Sequence, residues 1–116
     1  MFTISPQAFS TFAAVEDDKF VRSLDGFLRE NVPSLAKEPE PAMHAQIRLL
    51  MEQARTFNMV SEHAVAAFVL TAAQLGVDFV DRFKGAREIL FMDVPEEEKA
   101  ELLEAFTVTL LETLAR

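Results

Sequence analysis

The chain has 116 residues, half of them apolar, with a formal net charge of −8 and no Cys. That length suits one domain with one real core, and 11 Phe without Trp or Tyr suit packing rather than disorder. The missing Cys excludes disulfides, thiolate nucleophiles and Cys-based zinc sites. An acid excess without a basic stripe argues against nucleic acid and against anionic membrane surfaces.

The reading in chain order is all-α: a compact bundle of about five or six helices around a central apolar helix at 61–75. Ser5-Pro6 opens a first helix, with Ser as cap, Pro at N1 and Ile4 as a staple. Phe9, Phe12 and Val15 share its face. The acids Glu16, Asp17 and Asp18 are expected to mark a break or kink near 15–17. A second stretch runs from Lys19 to Asn31. Phe20, Leu24, Phe27 and Leu28 form its apolar stripe, with Asp25 on the outer face. Gly26 costs that helix about 1 kcal/mol relative to Ala, which predicts close approach by another helix. Val32-Pro33 ends it, and three Pro in residues 33–41 make a surface loop.

A further helix runs from Pro41 to Phe57, with Met43, Ile47, Leu50, Met51 and Ala54 on one face. The short link Asn58-Met59-Val60 favours an antiparallel partner. That partner is the central helix. Ser61 caps it, Glu62 meets the dipole, and from Ala64 to Leu75 only Thr71 and Gln74 are polar. Its apolar circumference and five alanines predict a helix crowded on most sides. The run is too short for a bilayer, which takes about 20 apolar residues. Gly76 is expected to stop it in a left-handed conformation. Val77, Phe79, Val80 and Phe83 then anchor a connection interrupted at Gly85, followed by one or two turns over 86–91. Asp93 is expected to cap a last helix reaching Leu114, with Leu103, Phe106, Leu110 and Leu114 as its stripe and Val108 and Leu111 widening it. Such breadth fits packing between two neighbours, or a ridge for a partner.

Few residues point to chemistry. His44 and His63 are the only imidazoles, with no His-Glu-x-x-His spacing. His63 is expected to be partly exposed and His44 to lie on the surface. Glu96-Glu97-Glu98 reads as a solvated helix start. No Gly-x-Ser-x-Gly elbow or phosphate-cradling loop occurs. No catalytic, metal or cofactor site is therefore expected, and the chain reads as a non-enzyme. The N-terminus lacks the pattern of a signal peptide, which suggests a cytoplasmic protein.

Short matches spread along the chain carry a family resemblance. The pieces are Ile4-Ser5-Pro6-Gln7; Phe20-Val21-Arg22 with Leu28 and Val32-Pro33; residues 47–59 with Glu52-Gln53-Ala54-Arg55; Ser61-Glu62 with Val65 and Phe68; Leu75-Gly76-Val77-Asp78-Phe79; and residues 86–90. In these the chain resembles small, uncharacterised helical proteins encoded beside type VI secretion spike and effector genes. It departs from them where Phe57-Asn58 replaces an aromatic-Gly turn, where 81–87 lacks a Trp, and in its long, apolar last helix. The resemblance implies an accessory role in bacteria, adaptor or chaperone-like, exercised by binding a secretion effector or spike component. It carries over no catalytic residue.

Acidity suits a further role, an immunity protein neutralising a basic toxin, and the apolar Leu103, Phe106, Leu110 and Leu111 suit another, a homodimer or larger homo-oligomeric structural module. Residues 93–116 hold seven of the 19 acids and only two of the 11 bases. The expected protein-binding face is accordingly the exposed side of the last helix: Glu97, Glu101, Glu104 and Val108, with Leu111 at its edge.

Overall fold

Residues Glu62–Leu75 form the central helix, and Ser61 caps it as its residue type dictates: the hydroxyl accepts from the Ala64 amide at 3.2 Å. In the computed structural model, which describes residues 6–115 with side chains from Asp18 onward, six helices surround one core. They are α1 (Pro6–Asn31), α2 (Glu40–Thr56), α3 (Glu62–Leu75), α4 (Phe79–Arg82), α5 (Lys84–Leu90) and α6 (Glu96–Leu114), with a 3₁₀ turn at Pro33–Leu35. The fold is an all-α bundle. α3 packs against α1, α2, α4 and α6, and α6 bridges α3 and α5. No helix among the described residues is long and apolar enough to cross a membrane.

Eight side chains of α3 are buried, including Phe68 and Val69 with no exposed surface. Phe68 stacks edge-on with Phe79 at 5.1 Å between ring centres and tilts toward Phe57 at 6.0 Å. Around it lie Ile47, Met59, Leu90 and Leu103, each at most 1% exposed. Alanines 64, 67 and 72 are buried as well. They let the neighbouring helices approach closely.

Several expectations are corrected. α1 runs unbroken through 15–17. No Pro or Gly interrupts it there, and extending a helix costs less than nucleating a new one. Asp18, one of the acids expected at that break, pairs with Arg48 of α2. The expected Ser5 cap and Ile4 staple lie outside the described residues, as do the side chains of Phe9, Phe12 and Val15. The buried stripe of α1 is Val21, Leu24, Leu28 and Asp25, whereas Phe27 is 44% exposed. Asp25 is tolerated because Arg29 and His44 both bind it, His44 Nε2 at 2.7 Å from Oδ2. Burial pushes the Asp25 carboxyl up, but the hydrogen bonds from Arg29 and His44 outweigh it and hold the group below the usual range. His44 is thereby drawn in from the surface position expected for it.

The glycines also differ. Nothing approaches Gly26. The close approach is at Gly85, inside α5, where a Cβ would meet the Phe106 ring at 2.7 Å. The chain breaks instead at Phe83, whose backbone is extended. Gly76 does end α3 with positive φ, but at φ 112°, ψ 149° it lies outside the left-handed helical well. The left-handed residue is Asn58, φ 63°, in the α2–α3 turn. Val77 is half-exposed rather than an anchor. Asp93 does not cap α6, because the helix begins at Glu96, with Pro95 at the N-cap position and no side-chain cap.

Three arginines reach carbonyls at the ends of the 3₁₀ turn, α3 and α4. Arg29 donates to the carbonyls of Leu35 and Ala36, Arg82 to Leu75, and Arg87 to Val80 and Asp81. Each guanidinium supplies donors near the negative, carbonyl end of a helix or 3₁₀ turn, and at Leu35 it shares the carbonyl with the Glu38 amide.

Candidate functional site

The first turn of α6 sits over the turn joining α2 to α3. Phe57 closes α2, Asn58 reverses the chain, Met59 is buried, and Ser61 starts α3. This turn presents one helix C-terminus and one helix N-terminus side by side. α6 answers both with the matching sign. Lys99, 4% exposed, donates from Nζ to the Phe57 carbonyl at 2.9 Å. Glu96 Oε1 accepts from the amides of Val60 at 3.1 Å and Ser61 at 2.6 Å. Cations favour helix C-termini and anions favour N-termini, so two charges of α6 clamp a turn 35 to 42 residues away in sequence.

The clamp continues through Glu97. Its Oε1 accepts from the Ser61 hydroxyl at 2.9 Å, and its Oε2 lies 2.8 Å from His63 Nδ1. The other ring nitrogen of His63 lies 3.1 Å from Glu104 Oε1, two turns along α6. The Ser61 amide is the largest influence holding Glu96 below the usual carboxylate range. The His63 hydrogen bond does the same for Glu97, followed by the Ser61 hydroxyl. His63 is pushed up, first by its hydrogen bond to Glu97 and further by Glu104.

Serine, histidine and carboxylate meet here, but not in the order nucleophilic catalysis uses. The Ser61 hydroxyl donates to Glu97, and both His63 nitrogens face carboxylates. A general base works best with a proton affinity near the operating pH, whereas Glu97 is tuned away from it. What the arrangement does is fasten two helices. Among the described residues, no group of three or more His, Asp or Glu is placed to hold a metal ion.

The expected binding residues fall on one face of α6, but the structure divides them. Glu97 and Glu104 are tied to His63, whose side chain is 54% exposed. Glu101 is exposed without a role in the clamp. Val108 is 55% exposed, and Leu111 is half-buried against the core. Val108, Leu111 and Glu104 border a shallow groove of about 160 Å³ against Ala67, Leu70 and Gln74 of α3. The next face of α6 carries a wider, apolar groove of about 410 Å³, formed by Leu102, Ala105, Phe106, Thr109, Leu110 and Thr113.

No family model, curated protein or solved structure matches this chain. The face must be read from its own chemistry.

Sequence reasoning missed Ser61, His63, Glu96 and Lys99 as one unit. A signal existed only in part: Lys99 is the sole base in an otherwise acidic first two turns of α6. Nothing local separates Glu96, which clamps, from Glu98, which is exposed.

Proposed function

We propose that this chain is a non-catalytic protein-binding accessory, adaptor or chaperone-like in kind, whose contact face is the exposed side of α6. One observation carries the reading. The described surface of α6 exposes Glu97, Glu98, Glu101, Glu104 and Glu112 together with Val108 and Leu114, while its only base, Lys99, is buried. An acidic helix face with apolar contacts suits a partner carrying basic and apolar groups. The sequence resemblance supports a type VI secretion effector or spike component as that partner.

The test is co-expression with a type VI effector and its spike protein, followed by purification. The wild type should capture one of them, and a Glu101→Lys, Val108→Asp double variant with an unchanged melting temperature should not. Capture of neither by the wild type refutes the reading. Protection of cells from the co-expressed toxin, without co-delivery, would move the assignment to an immunity protein.

The exposed apolar groups Val108 and Leu114, beside the Leu102–Thr113 groove, favour a second reading as a homo-oligomer. Self-association through this face brings like charges together, so it should strengthen with salt. Light scattering that shows a monomer at high protein and salt concentration removes it.

A further inference from the structure

We infer that His63, Glu97 and Glu104 form a proton-operated clasp fastening the first turn of α3 to α6, closed when the imidazole is charged and open when it is neutral.

The argument is one of donors and acceptors. A carboxylate only accepts, and a neutral imidazole has one N–H and one lone pair. His63 presents Nδ1 to Glu97 at 2.8 Å and Nε2 to Glu104 at 3.1 Å. Both contacts are hydrogen bonds only if both nitrogens carry protons. In the neutral ring one lone pair faces a carboxylate oxygen, and that contact turns repulsive. The two acids are seven residues apart on α6, so the ring spans two helical turns of its neighbour and cannot satisfy both with one donor.

The charged surroundings favour the closed state. From α6, Glu97 and Glu104 touch the ring, and Glu96 holds Ser61 two residues before it. Glu101 is exposed between them in sequence. Lys99, the base of that segment, is committed to the Phe57 carbonyl. On α3 itself Glu62 is the adjoining charge. Among the described residues, no charged group of α1, α2 or α4 pairs with the ring. The closed state therefore neutralises part of the acidic α6 face, and loss of the proton restores that negative charge while Glu97 keeps the Ser61 hydroxyl. Glu104 also borders the α3–α6 groove beside Val108, so opening alters that groove's edge.

The sign follows from the direction of the shift. The folded-state pKa of His63 lies above its unfolded value of about 6.5. The clasp's stabilisation is fully present below that unfolded value and is lost as pH rises through the folded one.

The experiment is a nuclear magnetic resonance titration of the two histidine rings in the whole chain, with His63→Gln assigning them. In the wild type the His63 midpoint should lie above that of the urea-unfolded chain. It should fall in Glu97→Gln and again in Glu104→Gln. Amide shifts around Glu104 and Val108 should move with the His63 midpoint in the wild type and lose that transition in His63→Gln. Urea midpoints read the same linkage: the advantage of wild type over His63→Gln should shrink as pH rises above about 6.5. A His63 midpoint equal to the unfolded value overturns the inference. So does a midpoint that neither Glu variant moves.

Discussion

Replacing Glu96 by Ala should cost about 1.5 kcal/mol of stability. The carboxylate accepts from two backbone amides, those of Val60 and Ser61. Hydrogen bonds to charged groups contribute about 1.5–3 kcal/mol each when protected from water. Glu96 is only half-buried, so water replaces part of what is lost. Loss of an N-cap acceptor, at about 0.5–2 kcal/mol, is the closer guide. Glu98 supplies the control, because it lies in the same first turn of α6 but is exposed. Both residues share the dipole term of roughly 0.3–1 kcal/mol, at the low end for an exposed group, and only Glu96 clamps the turn. Glu98→Ala should therefore cost no more than that dipole term, and Glu96→Gln, which keeps one acceptor oxygen, about half the Ala cost. The assay is urea unfolding at neutral pH. With a slope of about 1.5 kcal/mol/M, Glu96→Ala should move the midpoint by about 1 M and leave the slope unchanged. Because Glu96 is held below the usual carboxylate range, its contribution is present above about pH 4.5 and is lost as pH falls through the folded-state value. The penalty should therefore vanish in acid. Equal midpoints for Glu96→Ala and Glu98→Ala refute the clamp, since they mean that the two amides are served as well by water.

Lys99→Met keeps the apolar stem and removes the donor to Phe57. It should lower stability by about 2 kcal/mol, and a melting temperature at or above wild type refutes the assignment. Phe68→Ala empties the position between Phe57 and Phe79 and should cost about 4 kcal/mol in the same urea assay. Gly76→Ala forces a side chain to φ 112°, with its Cβ 2.9 Å from Asp78 Oδ1, and should lose roughly 1–3 kcal/mol by thermal melting. Leu102→Ser on the open groove of α6 should leave thermal stability within about 0.5 kcal/mol, and a larger loss means that the groove is covered in the folded chain.

The helices were legible where their causes are local. The Ser61 cap, the α3 run and the α2 stripe of Met43, Ile47 and Leu50 are set by residues within a few positions of each other, and the structure keeps them. The left-handed Asn58 was visible as the next-best choice to Gly. The failures share one cause. Asp25 reads as an outward residue until Arg29 and His44 are known to reach it. The continuity of α1 depends on competition between two helices and one, which three consecutive acids do not decide. The clamp is harder still. Glu96, Glu97 and Glu98 are chemically identical in sequence, and only the docking angle of α6 against α3 gives each a different role. Of the three acids on the expected binding face, two, Glu97 and Glu104, are occupied by His63, a pairing that charge and spacing along α6 do not reveal.

Consider how the chain assembles as it is made. The contacts between α2 and α3 are short in sequence and close with little loop entropy. Their turn is then incomplete: the Phe57 carbonyl and the Val60 and Ser61 amides await groups that arrive 35 or more residues later. Closing so long a loop carries an entropy cost that grows slowly with length, and such non-local contacts form late. Glu96 and Lys99 thus complete the turn only once α6 has docked. Until α6 docks, the face of α3 that it covers stays open and the turn's polar groups are left to water.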